Sequence, residues 1–315
     1  MYKGELNNMK KIMTTVLLIL MIAILPVNAR ADEQKPTVPE QTPVVTQTAP
    51  ATTPEQKPAE QTPNEDKVTG EIDLSVLSAY IWRGYEQTRD SVVIEPSVTI
   101  GYKGFSLNVW GNMDTRPYSV GDAQYASQYT ETDYTLSYSR KFGILQVTPG
   151  YIYYALGAPY AGAAAPLAAQ EVFLNLGLDT ILQPTLTAYK DIDHYREWYF
   201  LLGVSHTFEF NKVVSLKLAA SASYLLSTDA TTYAKYDSNS VATTDKFNNF
   251  HDGTATVSIP LAVYKSLTVT PLLSYVFPLS DDARYEMKAK GLEGVDPTQR
   301  NSTYLYGGVT LSYTF

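Results

Sequence analysis

The 315-residue sequence contains no cysteine and only three histidines, His194, His206 and His251. The missing thiols remove disulfides, thiolate metal sites and thiol nucleophiles together. Three scattered histidines without a ligand spacing offer no zinc-type set, so no cofactor and no metal are expected. Positive charge is also short: 24 Lys and Arg face 32 Asp and Glu, for a formal net charge of −8. Such a chain is a poor nucleic-acid binder. Nor does any apolar run reach the length of a membrane-spanning helix; the run from Ile12 to Val27 falls short.

What is present falls into three segments. Met9-Lys10-Lys11, the apolar run and Ala29-Arg30-Ala31 follow the order of a secretory signal peptide, so residues 1–31 are expected to be removed. The leader carries Lys3, Lys10, Lys11 and Arg30 against Glu5, so its loss makes the remainder more acidic. Residues 32–69 are rich in Pro, Thr, Glu and Gln, with Pro36, Pro39, Pro43, Pro50, Pro54, Pro58 and Pro63 spaced a few residues apart. With no aromatic residue and no apolar period, this stretch cannot offset its ordering entropy. It reads as a periplasmic tether, a spacer or an arm touching peptidoglycan.

From Gly70 to Phe315 apolar and polar residues alternate with period two, the mark of strands with two different faces. Leu174, Leu176 and Leu178 oppose Asn175 and Asp179; Phe200, Leu202 and Val204 oppose Glu197 and Ser205. Twelve strands are predicted, near 71–83, 91–103, 105–114, 130–141, 144–155, 170–179, 184–191, 196–210, 213–227, 251–264, 266–277 and 303–315, with no helical pattern among them; the count falls to ten if the 184–191 arm is irregular and rises to fourteen if 228–250 hides a strand pair. Each supplies roughly the 9–11 residues of a tilted membrane strand.

The connections alternate. Lys103-Gly104, Phe142-Gly143, Ile181 to Gln183, Asn211-Lys212 and Lys265 are tight, whereas 84–90, 115–129, 156–169, 228–250 and 278–302 are long and 192–195 is short. Alternating short turns and long loops belong to an all-β, transmembrane antiparallel barrel with short periplasmic turns and long extracellular loops. Aromatic residues gather at both ends: Tyr102, Phe105, Phe142, Phe208 and Phe315 toward the turns, Tyr80, Trp82, Trp198, Phe200 and Tyr275 toward the loops. Two belts flanking an apolar band match the two interfaces of a bilayer. The expected localisation is the outer membrane of a Gram-negative-type bacterium, with lipid as the first partner.

The polar face then points into the lumen. It places Arg83, Glu95, Asp114, Glu131, Asp133, Glu171, Asp191, Glu197, Lys217 and Asp252 as candidate pore-lining residues, with Arg83 the main counter-charge. Carboxylates crowded in a narrow pore favour cations. Trp110, Phe173 and Tyr199 also point inward and narrow the path. Catalysis is disfavoured. His206 is followed by Thr207 and Phe208 rather than by a serine nucleophile, and in Asp193-His194 and His251-Asp252 adjacent strand residues should face opposite sides. A weak calcium site at Asp281-Asp282 or within 237–245 stays open beside a merely solvated acidic loop.

The segment Ser78-Ala79-Tyr80-Ile81-Trp82-Arg83-Gly84-Tyr85-Glu86-Gln87-Thr88, with Pro96-Ser97-Val98 and Val109-Trp110-Gly111-Asn112, resembles the opening of TorF/Gcw_chp-type outer-membrane porins. The likeness covers roughly residues 76–115 and implies a porin-like barrel without naming a solute. The last strand, ending Ser312-Tyr313-Thr314-Phe315, resembles the terminal strand that the barrel assembly machinery reads. The expected function is passive diffusion of small hydrophilic solutes or ions with a cation preference. A non-conducting barrel that displays loops or anchors the tether is the alternative, and an enzyme at the outer rim comes third.

Overall fold

A computed structural model describes residues 67–118, 127–292 and 295–315. The predicted signal peptide and residues 32–66 of the predicted tether lie outside the described residues.

Twelve antiparallel staves close into one barrel. They are β1 (Thr69–Leu77), β2 (Val93–Tyr102), β3 (Phe105–Asp114), β4 (Gln128–Tyr138), β5 (Leu145–Leu156) and β6 (Ala169–Leu178), followed by β7 (Thr185–Asp191), β8 (Glu197–Glu209), β9 (Ser215–Ser227), β10 (Asn248–Ser258), β11 (Leu267–Pro278) and β12 (Tyr304–Thr314). Arg140–Phe142 prolongs β4 and Leu261–Tyr264 prolongs β10 toward the short turns. Each stave pairs with its sequence neighbours, and β1 pairs with β12 from Glu71↔Thr314 to Leu77↔Gly308, so the sheet has no free edge. The ends are fastened by Gly70 N donating to Phe315 O and Phe315 N donating to Gly70 O, both at 2.9 Å. Closure satisfies the backbone groups that an edge strand would expose to hydrocarbon.

The period of two sorts the side chains. Ile100, Leu107, Leu136, Leu174, Leu202, Leu218, Leu273 and Leu311 are exposed on the outer wall, while Ser75, Ser97, Asn108, Thr187, Ser223 and Ser274 are buried on the inner one. An apolar exterior around a polar interior is the reverse of a soluble barrel and is stable only in lipid. Tyr102, Phe105, Phe142, Phe208, Phe210, Tyr264 and Phe315 are exposed at the short-turn end. At the loop end Trp198 stacks on Phe200 and Tyr275 on Phe277, with centroids 5.9 and 5.6 Å apart. Among the described residues no helix is long and apolar enough to cross a membrane; this barrel crosses with strands.

The predicted staves are present, and three local readings need correction. The first stave ends at Leu77, not at residue 83. Tyr80 and Trp82 are therefore not interface residues: the chain turns into the lumen after Ser78, and both rings are buried there. The last long loop is not free of helix, for Asp281–Lys290 forms α1. Ser280 caps it by accepting from Ala283 N, Asp281 and Asp282 occupy its first turn, and Lys288 and Lys290 its last, a charge order that suits the helix dipole. The long loop after β9 holds a small hairpin, Ala234–Tyr236 with Ala242–Lys246, which stays outside the barrel sheet.

Candidate functional site

The lumen has two zones. Its short-turn side holds a cavity of about 520 Å³ whose wall runs from Gly104, Ser139 and Pro260 up to Trp82, Arg83 and Tyr199. Ser, Thr and Asn side chains recur along this wall between apolar and aromatic ones, and they pair across the staves: Ser75 with Thr310 at 2.9 Å, Asn108 with Ser97 at 2.8 Å, Asn175 with Thr187 at 2.7 Å and Thr256 with Ser274 at 2.8 Å. The loop side is filled by a plug that the loops themselves supply.

The plug begins with a two-residue hairpin. Ile81 pairs with Glu86 and Trp82 with Tyr85, and the tip is Arg83-Gly84 with φ +42° and +83°. Two positive φ values are what a tight hairpin of this twist requires. Glycine supplies the second freely, whereas arginine at the first is costly. Tertiary contacts hold it there. The Arg83 guanidinium donates to both carboxylate oxygens of Glu171 at 2.8 Å and lies 3.8 Å from Glu197. It also sits 4.3 Å from the Tyr199 ring centroid, 4.6 Å from Trp82 and 4.9 Å from Tyr189. The Tyr154 hydroxyl donates to the same Glu171 at 2.7 Å. A fork-on-fork ion pair stacked among three rings is among the strongest ways to hold a buried guanidinium.

The second half comes from α1. Its Glu286 accepts from the Tyr85 hydroxyl at 2.8 Å and lies 3.0 Å from His251 Nε2, whose Nδ1 lies 3.0 Å from Asp252. Lys290, one turn on, donates to Thr232 O at 2.6 Å and lies over the Tyr233 ring. Trp82, Tyr85, Tyr233, Phe247, His251 and Met287 are at most 1 % exposed, so this end of the lumen is tightly filled.

His251 and Asp252 both face inward, contrary to the alternation expected of neighbours. The β9–β10 register shifts between Ala222 and Tyr224, so Ser223 alone faces the two residues. Such a bulge re-aims a side chain. Ser223 Oγ fastens it, donating to the Asp252 carboxylate at 2.6 Å and accepting from Asp252 N at 2.8 Å.

The ten predicted lining residues therefore divide. Arg83, Glu95, Asp133 and Lys217 border the cavity. Glu171 and Glu197 anchor the plug, Asp252 accepts from the Tyr199 hydroxyl and pairs with His251 on the wall, and Glu131 accepts from the Tyr80 hydroxyl at 2.7 Å. Asp114 and Asp191 act at the loop shoulders. Asp114 accepts from Ser91 Oγ and Arg116 N, and Asp191 accepts from the backbone of Asp193, Tyr195 and Arg196. Trp110 and Tyr199 are buried inward and Phe173 borders the cavity. Sequence reasoning missed Tyr85, Glu286 and Lys290, and it weighed His251 only as half of a disfavoured catalytic pair. The helix that carries two of them was signalled by Ser280, the paired aspartates and the closing lysines; the bulge left no sign. Asp282 pairs with Lys235 at 3.1 Å and with Asn249 at 3.0 Å, and no group of three or more His, Asp or Glu among the described residues is disposed to hold a metal.

No family model and no curated protein matches the sequence, so the TorF/Gcw_chp likeness has no family match behind it. Solved structures similar to the barrel include the KdgM porin (12% identity, TM-score 0.46, covering 78% of this chain and 99% of that one) and the NanC porin (10%, 0.44, 78% and 98%). The translocator domain of the autotransporter NalP from Neisseria meningitidis is also similar (11%, 0.34, 79% and 88%). Likeness at this level concerns barrel form and assigns no solute.

Proposed function

We propose that this barrel is a non-enzymatic channel for small hydrophilic solutes or ions, closed in the described conformation by its own first loop and α1. The supporting observation is the polar cavity, which reaches from the short turns to the underside of the plug. A barrel serving only as an anchor has no need of a hydroxyl-lined lumen of that size. The carboxylates of Glu71, Asp73, Glu95 and Asp133 face it against Arg83 and Lys217, and Arg83 is already ion-paired. That excess favours cations. The reading includes kinship with TorF/Gcw_chp-type porins, a periplasmic tether that spaces the barrel from peptidoglycan, and recognition of the Phe315 terminus by the assembly machinery.

Single-channel recording of the refolded protein in a planar bilayer under a KCl gradient tests the reading. Discrete openings with a cation-selective reversal potential are expected, and neutralising Glu131 and Asp133 together should weaken the selectivity. The filled outer half favours a second reading, a non-conducting barrel that displays its loops. That reading prevails if a folded protein whose plug has been loosened still never conducts.

A further inference from the structure

One cluster in the lumen is used by neither the Arg83 anchor nor the α1 contacts. Asn112 on β3 faces Glu131 on β4, and Trp110 faces Asp133 two residues along. Across the other side of β3, the pairs Ile94↔Met113 and Ser97↔Trp110 set Glu95 beside Asn112. Glu95, Asn112 and Glu131 thus form a row across three adjacent staves, spanning about 10 Å at the usual strand spacing, with Asp133 at its corner. All four side chains are buried.

The row is rich in acceptors and poor in donors. Among the described residues, both Glu95 carboxylate oxygens, Asn112 Oδ1, Glu131 Oε1 and Asp133 Oδ1 have no hydrogen-bond partner. Asn112 commits its amide to Thr130 Oγ1 at 2.7 Å, so its carbonyl oxygen is what remains. The Tyr80 hydroxyl serves only Glu131 Oε2. Unmet buried acceptors are costly, and here every unmet group calls for the same complement, a cation rich in N–H donors. The Tyr80 and Trp110 rings lie 5.8 Å apart beside the row, and Glu95, Asp133 and Trp110 open onto the cavity.

We propose that this cluster is a binding subsite for a small organic cation, a guanidinium- or ammonium-bearing solute. The inference rests on the channel reading for how the solute arrives, and it names the solute class. A single metal ion fits less well, because no three acidic or histidine side chains converge on one point among the described residues. A fork of several N–H groups bridges acceptors spread along a row, and the flanking rings add cation–π attraction. The same lumen already holds one guanidinium in this manner: Arg83, between Glu171 and three aromatic rings.

Isothermal titration of the refolded full-length protein in detergent micelles with agmatine, which carries a guanidinium and an ammonium group, tests the subsite. Saturable binding is expected, absent for the neutral 1,4-butanediol and for NaCl at matched ionic strength. It should weaken at least ten-fold in Glu95→Gln/Asp133→Asn and by less than two-fold in Glu71→Gln/Asp73→Asn, which removes two acids nearer the short turns. Should the first variant fail to fold, judged by its heat-modifiable gel mobility, Trp110→Leu is the second probe, with a several-fold loss expected. Agmatine heats no larger than those of NaCl, or an equal loss in both acid pairs, overturns the subsite. A protein that conducts but does not bind agmatine sinks the subsite and leaves the channel; one that binds but never conducts keeps the subsite and sinks the channel.

Discussion

Replacing Arg83 with methionine should unlock the plug. Methionine keeps much of the stem that packs between Trp82, Tyr189 and Tyr199 and removes the charge. In the closed state, Glu171 then loses both 2.8 Å hydrogen bonds and Glu197 loses the cation 3.8 Å away. Two buried carboxylates are left without their counter-ion. Removing one member of a buried pair costs about 3–5 kcal/mol. An opened plug lets water hydrate both acids, so most of that cost falls on the closed state alone. At 1.4 kcal/mol per factor of ten, about 3 kcal/mol shifts the closed-to-open ratio on the order of a hundred-fold. Single-channel open probability reads this directly, and protease cleavage within residues 78–92 reads it independently. The double variant Arg83→Met/Glu171→Gln should recover part of the loss, since it removes one stranded charge. A folded Arg83→Met barrel with wild-type gating and wild-type protease resistance would refute the reasoning.

Gly84→Ala should loosen the same plug by about 1–3 kcal/mol, measured as faster proteolysis of the first loop. A Cβ there would lie 2.8 Å from Met287 Cε, on backbone with φ +83°. Lys290 gives a pH dependence. Burial pushes its ammonium down to about 8, partly opposed by Glu286 and Glu197, while an undocked lysine titrates near 10.4. Between those values the undocked form binds more protons, so the Lys290 contribution to docking, read as the difference between the wild type and Lys290→Met, should grow as pH rises from about 8 toward 10. Burial holds the Tyr85 and Tyr233 hydroxyls well above the ordinary phenol range, so their contribution is lost above about 10 and the gain should reverse. Hydrogen exchange of the plug, corrected for intrinsic rate, should trace this maximum, and Lys290→Met should abolish the rising limb. On the outer wall, Leu202→Arg should cost about 2–4 kcal/mol in urea unfolding from lipid vesicles, the figure for arginine near the bilayer midplane; an unchanged midpoint would contradict the placement of Leu202 against lipid.

The barrel was legible because alternation, turn spacing and aromatic placement all follow from one requirement, a sheet closed between lipid and water. Leu202 and Leu218 reveal their face by period alone, and the inward carboxylates followed from the same count. The plug was not legible for a related reason. Tyr80, Trp82 and Glu86 keep the alternation of a strand while the backbone leaves the wall, so period alone carries β1 past its true end at Leu77. Nothing local separates a stave from a hairpin folded inside the barrel; the difference is the Glu171 carboxylate waiting 88 residues away. The bulge at Ser223 offsets the count by one residue, and a period cannot report its own interruption. By contrast α1 carried full helix punctuation, which the surrounding strand rhythm overrode.

The seam of the barrel lies between β1 and β12, and the plug is built across it. The hairpin follows β1 directly and α1 comes from the loop before β12, yet Tyr85 bonds to Glu286 at a sequence distance of 201 residues. These halves become neighbours only when the last stave joins the first. The stopper serves as a rivet over the join, so a barrel unzipping along this seam must also part Tyr85 from Glu286.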